Sequence, residues 1–305
     1  MKALVEGSAA GMSRLRRAAR VALMLPFALG GLALRRHSAV AALNALVPRH
    51  GYKRHSDIPY GDGPRHMLDL YVPKGLKDPA PVIVFFYGGT WQSGDREDYL
   101  FAAEGLAAEG FVVAVPDYRL WPEVRFPAFV EDGAAALAWV LSRVGEFGGD
   151  PSRVHVMGHS AGAHIAAMLA LDPRYLSAHG QDRARLAGLI GLAGPYDFLP
   201  ITGAIPRLVF DAGRADLWPS QPVNFASAEA PPAFLASGET DDTVRPRNTL
   251  SLGRRLEEAG ARVVTRLYPR TGHVGIVLAL ARVVPRRPPV LSDIAAFVRG
   301  NPARL

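Results

Sequence analysis

A chain of 305 residues, about half of them apolar, can bury a substantial core, and without a single cysteine it has neither a disulfide framework nor a thiolate metal site. Its nine histidines are scattered, with no HExxH pair or other ligand spacing, so no catalytic metal or cofactor is expected. The net charge of +7 gathers at one end: residues 1–60 hold ten Lys or Arg against two acids, which leaves the rest of the chain at −1 and makes nucleic acid an unexpected partner.

The basic end is an extension over residues 1–51. Arg14, Arg16, Arg17 and Arg20 precede the apolar run 21–34, and Arg35 and Arg36 follow it. That run, broken by Pro26, Gly30 and Gly31, falls short of the roughly 20 residues that span a bilayer. Helices that dock on the body or cover its entrance fit this pattern, as does peripheral membrane contact. A secretory signal with Ala39, Val40 and Ala41 as cleavage box fits less well, because arginines separate the run from the box. A cytoplasmic or membrane-associated protein is therefore expected ahead of a secreted one.

From residue 52 onward, short β-rich runs alternate with longer stretches of helical spacing. Residues 81–87, 111–116, 153–157, 186–192, 232–237 and 261–268 read as strands, and 127–144, 161–171 and 247–259 as helices. This alternation predicts the α/β class, a mainly parallel sheet with helices on both faces, as one catalytic domain over 52–305. No internal repeat interrupts it.

The sharpest local signal is Gly158-His159-Ser160-Ala161-Gly162, where an apolar strand gives way to an alanine-rich helix. It is a GxSxG nucleophile elbow, whose glycines let the backbone close tightly beneath an exposed serine. A serine hydroxyl is a weak nucleophile at neutral pH. It needs a base, and the base needs an orienting carboxylate. The loop after strand 232–237 supplies Glu239, Asp241 and Asp242, and the loop after strand 261–268 supplies His273. Serine, acid, histidine is the chain order of α/β-hydrolases. Both loops leave the strand edge from which Ser160 emerges, where ligands sit in open α/β sheets. His159 adjoins the serine and is expected to point elsewhere. His164, one turn on, is not expected to act directly, because elbows take their base from a distant loop.

Three further segments carry a resemblance. Tyr87-Gly88-Gly89-Thr90-Trp91 resembles an HGGxW oxyanion segment, Asp117 to Glu123 reads DYRLWPE and resembles a DYRLxPE stretch, and Gly238, Asp241 and Val244 fit GxxDxxV. Over roughly residues 52–300 the chain is similar to α/β-hydrolases of the esterase and lipase group, close to bacterial carboxylesterases that include kynurenine-formamidase-like and feruloyl-esterase-like members. The resemblance implies Ser160 as nucleophile, Asp241 as triad acid and His273 as base. It also implies oxyanion donors from Gly88, Gly89 and Ala161. Asp242 then becomes a turn or surface residue. Tyr87 departs from the pattern, which has histidine there; that side chain organises the loop while backbone N–H groups donate, so the hole is expected to persist. Asp117, Arg119 and Asp132 are expected in a structural ion-pair network.

The segment 196–230 is rich in apolar residues, among them Phe198, Leu199, Ile201, Leu208 and Trp218. It predicts a small apolar lid, with an ordinary excursion packed on the body as the alternative. Trp91 and Trp218 are the candidate pocket residues, and Trp91 equally suits the core. The expected function is hydrolysis of a small-molecule carboxylic ester with a short to medium uncharged acyl group. A formamidase or other amidase would use the same residues. A catalytically silent hydrolase fold is the third reading, against which stands the presence of all three triad candidates.

Overall fold

The computed structural model describes residues 40–210 and 216–300. The chain divides into two units, Met1–Leu46 and Val47–Leu305. Of the first, residues 40–46 are helical, and the arginine-flanked apolar run at 14–36 lies outside the described residues. No helix among the described residues is long and apolar enough to cross a membrane.

The second unit is built on an eight-stranded sheet. Strands β1 (Tyr52–Pro59), β2 (Met67–Pro73), β3 (Ala80–Phe86), β4 (Val112–Pro116), β5 (Gly149–His159), β6 (Leu186–Leu192), β7 (Ala233–Gly238) and β8 (Val263–Tyr268) lie in the order β1-β2-β4-β3-β5-β6-β7-β8. β1 pairs antiparallel with β2, and β2 with β4; every other pairing is parallel. Parallel strands need crossovers. Helices α1 (Leu100–Ala108), α2 (Ala128–Arg143), α3 (Ala161–Leu171), which the short α4 (Pro173–Ser177) follows, and, later, α6 (Arg247–Glu258) supply them. This is the α/β-hydrolase arrangement.

Sequence explains the layering. β3 reads APVIVFF and β4 VVAVP, apolar runs without alternation, and β4 is buried at every residue because helices cover both faces. α3 reads AGAHIAAMLAL and is likewise buried at every position, whereas α6 is amphipathic and shows solvent one face. The strands reverse direction of travel at β3, between β4 and β5. A crevice opens there at the carboxyl ends of the strands.

The six predicted strands and three predicted helices form within a few residues of their expected bounds, except that β5 begins four residues early at Gly149. The antiparallel pair β1 and β2 and the helices α1 and, near the end of the chain, Val290–Val298 extend the expected set. β1 is an edge strand with mostly exposed polar residues, and β2 carries Asp69 fully buried inside it. Arg54 (2.6 Å) and Arg96 (3.1 Å), from two other segments, pair with that carboxylate. Among its described residues the insertion 196–230 holds one short helix, α5 (Ala204–Val209), and 3₁₀ turns at Trp218–Ser220 and Pro222–Phe225; residues 211–215 lie outside them.

Candidate active site

Ser160 stands between β5 and α3 with φ 55° and ψ −122°. A left-handed φ at a residue with a Cβ costs on the order of 1–3 kcal/mol and persists only where the surroundings enforce it. Here the Ser160 N–H donates to Leu192 O on β6 (2.9 Å), and Ser160 O accepts from Ala163 N (2.9 Å). The flanking glycines have no alternative: a Cβ on Gly158 would stand 2.2 Å from Gly162 O, and one on Gly162 would stand 2.0 Å from Phe86 O.

Around the serine the structure brings Asp241 and His273 together from 81 and 113 residues away. His273 Nε2 accepts from the Ser160 hydroxyl at 2.9 Å, and His273 Nδ1–H donates to Asp241 Oδ2 at 2.8 Å. The other carboxylate oxygen, Asp241 Oδ1, accepts the backbone N–H groups of Thr243 (3.0 Å) and Val244 (2.9 Å). These bonds leave the buried Asp241 fully partnered and fix its orientation. Asp242 and Glu239 are exposed.

His159 is a contributor the sequence did not announce. Its Nε2–H donates to the backbone carbonyl of His273 at 3.0 Å, and its ring lies 4.9 Å from the His273 ring. A residue adjacent to the serine thus pins the backbone of the histidine loop. His164 is tied elsewhere: its Nε2–H donates to Ser220 O at 2.8 Å, fastening the insertion to α3. Complete burial pushes the His164 pKa down to about 4, so it is neutral at pH 7.

The loop after β3 faces the same crevice. Gly89 (φ 141°), Thr90 (φ 55°) and Trp91 (φ 56°) run consecutively through positive φ. Donors from outside hold the loop: the Tyr118 hydroxyl donates to Tyr87 O (2.8 Å), and Trp121 N donates to Trp91 O (2.8 Å). Within it, Gln92 N (3.1 Å) and Ser93 N (3.2 Å) donate to Gly89 O. The cavity over the serine, about 480 Å³, is lined by Thr90, Trp91 and Ala161 beside Ser160. Ala161 opens α3, so its N–H has no partner within the helix. Gly88 and Gly89 are not on the cavity wall; a Cβ on Gly88 would touch Ser160 Cβ at 3.0 Å, so it packs against the elbow. Thr90, which the motif reading passed over, reaches the cavity from this segment together with Trp91.

Tyr87 now has a physical account. Its ring is stacked between Tyr99 (5.4 Å) and Tyr118 (4.8 Å) with no exposure. Its hydroxyl donates to Asp117 Oδ1 at 2.6 Å and accepts from Arg65 Nη2 at 2.7 Å. Asp117 Oδ1 also accepts from Arg96 N at 2.9 Å. Burial raises the Asp117 pKa, opposed by the Tyr87 hydroxyl and by Arg65 and Arg96. The expected single network is two: Asp117 belongs to this cluster, whereas Arg119 grips Asp132 through Nη2 (2.6 Å) and Nε (2.9 Å). Removing the hydroxyl in Tyr87→Phe takes one donor from the buried Asp117, which keeps Arg65 and Arg96, and one acceptor from Arg65, at a cost of roughly 1–3 kcal/mol. Thermal melting is expected to fall by several degrees, and kcat by about tenfold with KM little changed, because the loop loses its strut and not its binding surface. An unchanged melting temperature and kcat would contradict this role.

Of the two pocket tryptophans, Trp91 meets both readings. It lines the cavity, yet it is 3% exposed and packs on Phe129 (5.9 Å), Phe210 (4.8 Å) and His164 (5.3 Å). Trp218 does not reach the cavity. It is 52% exposed and packs edge-on against Phe225 at 5.2 Å, while Ser220 of the same 3₁₀ turn is buried and faces His164. The insertion instead offers the cavity Phe198, Pro200, Ile201 and Pro206.

Known proteins resemble this chain in sequence and in fold. The BD-FAE family model matches residues 68–256, a span that includes Ser160 and Asp241 and stops short of His273. The probable isoprenylcysteine alpha-carbonyl methylesterase ICME of Oryza sativa subsp. japonica is 30% identical over 238 residues, covering 72% of this chain and 58% of that protein. Esterase LipC of Mycobacterium tuberculosis is 30% identical over 254 residues, covering 77% and 63%. The chain thus spans less than two thirds of the length of either relative. Among solved structures, esterase B from Lactobacillus rhamnosis in a phosphonate-inhibited form superposes with a TM-score of 0.78 at 19% identity, over 92% of this chain and 96% of that one. This last likeness is one of fold.

Proposed function

Because the chain belongs to the BD-FAE family, we propose that it hydrolyses small-molecule carboxylic esters through Ser160, His273 and Asp241. The observation that carries this reading is the continuous hydrogen-bonded line from the Ser160 hydroxyl through His273 to Asp241, at 2.9 and 2.8 Å. His273 Nε2 takes the hydroxyl proton as Ser160 attacks the ester carbonyl. Asp241 holds the imidazole with its proton on Nδ1 and stabilises the imidazolium that results. Charge then develops on the carbonyl oxygen. Ala161 and Thr90, on the wall beside Ser160, supply the backbone donors for it, with Gly88 and Gly89 shaping the loop behind them. His273 returns the proton to the leaving alcohol, and water repeats the cycle on the acyl-enzyme.

Cavity size and lining set the substrate class. A space of about 480 Å³ suits a small molecule, and the acyl stem that meets Trp91, Phe198, Pro200 and Ile201 is uncharged and of short to medium length. The relatives' names, a probable methylesterase and an esterase, support ester hydrolysis. The test is a panel of p-nitrophenyl esters, from acetate to longer acyl chains, beside matched N-formyl anilides. Ester turnover that peaks at short to medium chains is expected. Preferential cleavage of the N-formyl compounds would replace this reading with a formamidase, and no turnover of either by folded protein would leave a silent fold.

A further inference from the structure

The wall of the Ser160 cavity carries two arginines that pair with no carboxylate among the described residues. Arg245 follows the Asp241 turn and Arg247 opens α6; both are exposed, and among the described residues neither joins an ion pair. The arginines around the oxyanion loop are engaged by contrast. Arg65 and Arg96 pair with Asp117, and Arg119 with Asp132. Among the described residues Asp242 is the single acid on the same wall, against two arginines.

A second, adjoining cavity of about 440 Å³ shares Arg247 with the first. Its lining adds Arg254, Ser251 and Asp197 to the apolar Leu199 and Leu250. Asp197 is turned to Ser251, whose hydroxyl donates to Asp197 Oδ2 at 2.6 Å, and Arg254 stands 3.9 Å from Glu258 on its own helix. Arg247 therefore sits at the junction between the space over the serine and a more polar space beyond it. A guanidinium offers a planar fork of N–H donors that matches a carboxylate or phosphate. In a cleft with low-dielectric walls, unneutralised positive charge draws an anion more strongly than on an open surface.

We infer that the ester this protein takes bears an anionic group, a carboxylate or phosphate, remote from the scissile carbonyl, and that Arg245 and Arg247 hold it. The inference rests on the ester-hydrolase reading and refines its substrate class: the stem beside Trp91 and Phe198 is apolar, and the far end is charged.

Matched ester pairs test it. Mono-p-nitrophenyl glutarate against p-nitrophenyl valerate places the charge on the acyl side, and 4-acetoxybenzoate against its methyl ester places it on the alcohol side. In at least one pair, kcat/KM for the anionic member is expected to exceed that of the neutral member by about tenfold, with the ratio shrinking as salt is raised. That ratio is expected to fall at least about fivefold in Arg247→Gln and in Arg245→Gln, and to hold in Arg143→Gln on the exposed end of α2. Hydrolysis of the neutral esters with ratios at or below one in both pairs would overturn the inference and leave the esterase reading intact. Failure of folded protein to hydrolyse any of the four would remove both.

Discussion

Ser160→Ala is expected to lower kcat/KM on the best p-nitrophenyl ester by about 10⁴ or more, with the melting temperature nearly unchanged. The substitution removes the attacking oxygen, while alanine inherits the same φ of 55° and the same backbone bonds to Leu192 and Ala163. His273→Ala is expected to cost a similar factor, since the serine then has no acceptor for its proton. Asp241→Asn should come close. The carboxylate is what keeps the proton on Nδ1, and an amide there can donate to Nδ1 and turn the imidazole to the wrong tautomer. The three losses are not additive: a double variant is expected to fall little below the worst single one, because the groups act as one unit. Wild-type-like turnover by purified His273→Ala would sink the assignment, whatever Ser160→Ala does.

The parts of this molecule that were legible in sequence are those whose cause is local. The parallel strands β3 to β7 announce themselves because strands buried on both faces must be apolar throughout, and the elbow because two glycines and a serine at a strand-to-helix turn have few other uses. β2 stayed hidden because Asp69 breaks its apolar run, and the arginines that make that burial tolerable lie at positions 54 and 96. Tyr87 tells the same lesson at the site. In sequence it marks only a departure from histidine, because Asp117 and Arg65, the partners of its hydroxyl, come from other segments. Thr90 and His159 were missed for a different reason. Which member of a glycine-rich loop reaches the cavity, and what a histidine beside the serine touches, depends on backbone directions that only the folded loop defines. Trp218 was misjudged because apolar composition does not say which side of an insertion faces the pocket.

Gly162→Ala separates the packing demand of the elbow from helix propensity, because the two predict opposite signs. In an ordinary exposed helix, alanine is better than glycine by roughly 1 kcal/mol. At position 162 the new methyl would meet Phe86 O at 2.0 Å, Phe86 C at 2.4 Å and Tyr87 O at 2.4 Å, all of them backbone atoms at the end of β3. A flexible side chain could turn aside, but a strand held between β4 and β5 cannot. The clash is therefore relieved by pushing the start of α3 off the sheet, at a cost of about 3 kcal/mol or more. For a body of this size that lowers the melting temperature by roughly 6–10 °C. The same shift moves Ser160 and Ala161 away from Thr90 and His273, and displacements well under 1 Å at a reacting group already cost heavily; kcat/KM is expected to drop by about 10² or more. Gly145→Ala is the matched control, since a Cβ there meets nothing within 4 Å and the backbone needs no positive φ. It is expected to leave both melting and activity where they are. If Gly162→Ala melted with the wild type and kept its activity, α3 would not be seated on the end of β3, and the geometry that aims Ser160 at His273 would have to be redrawn.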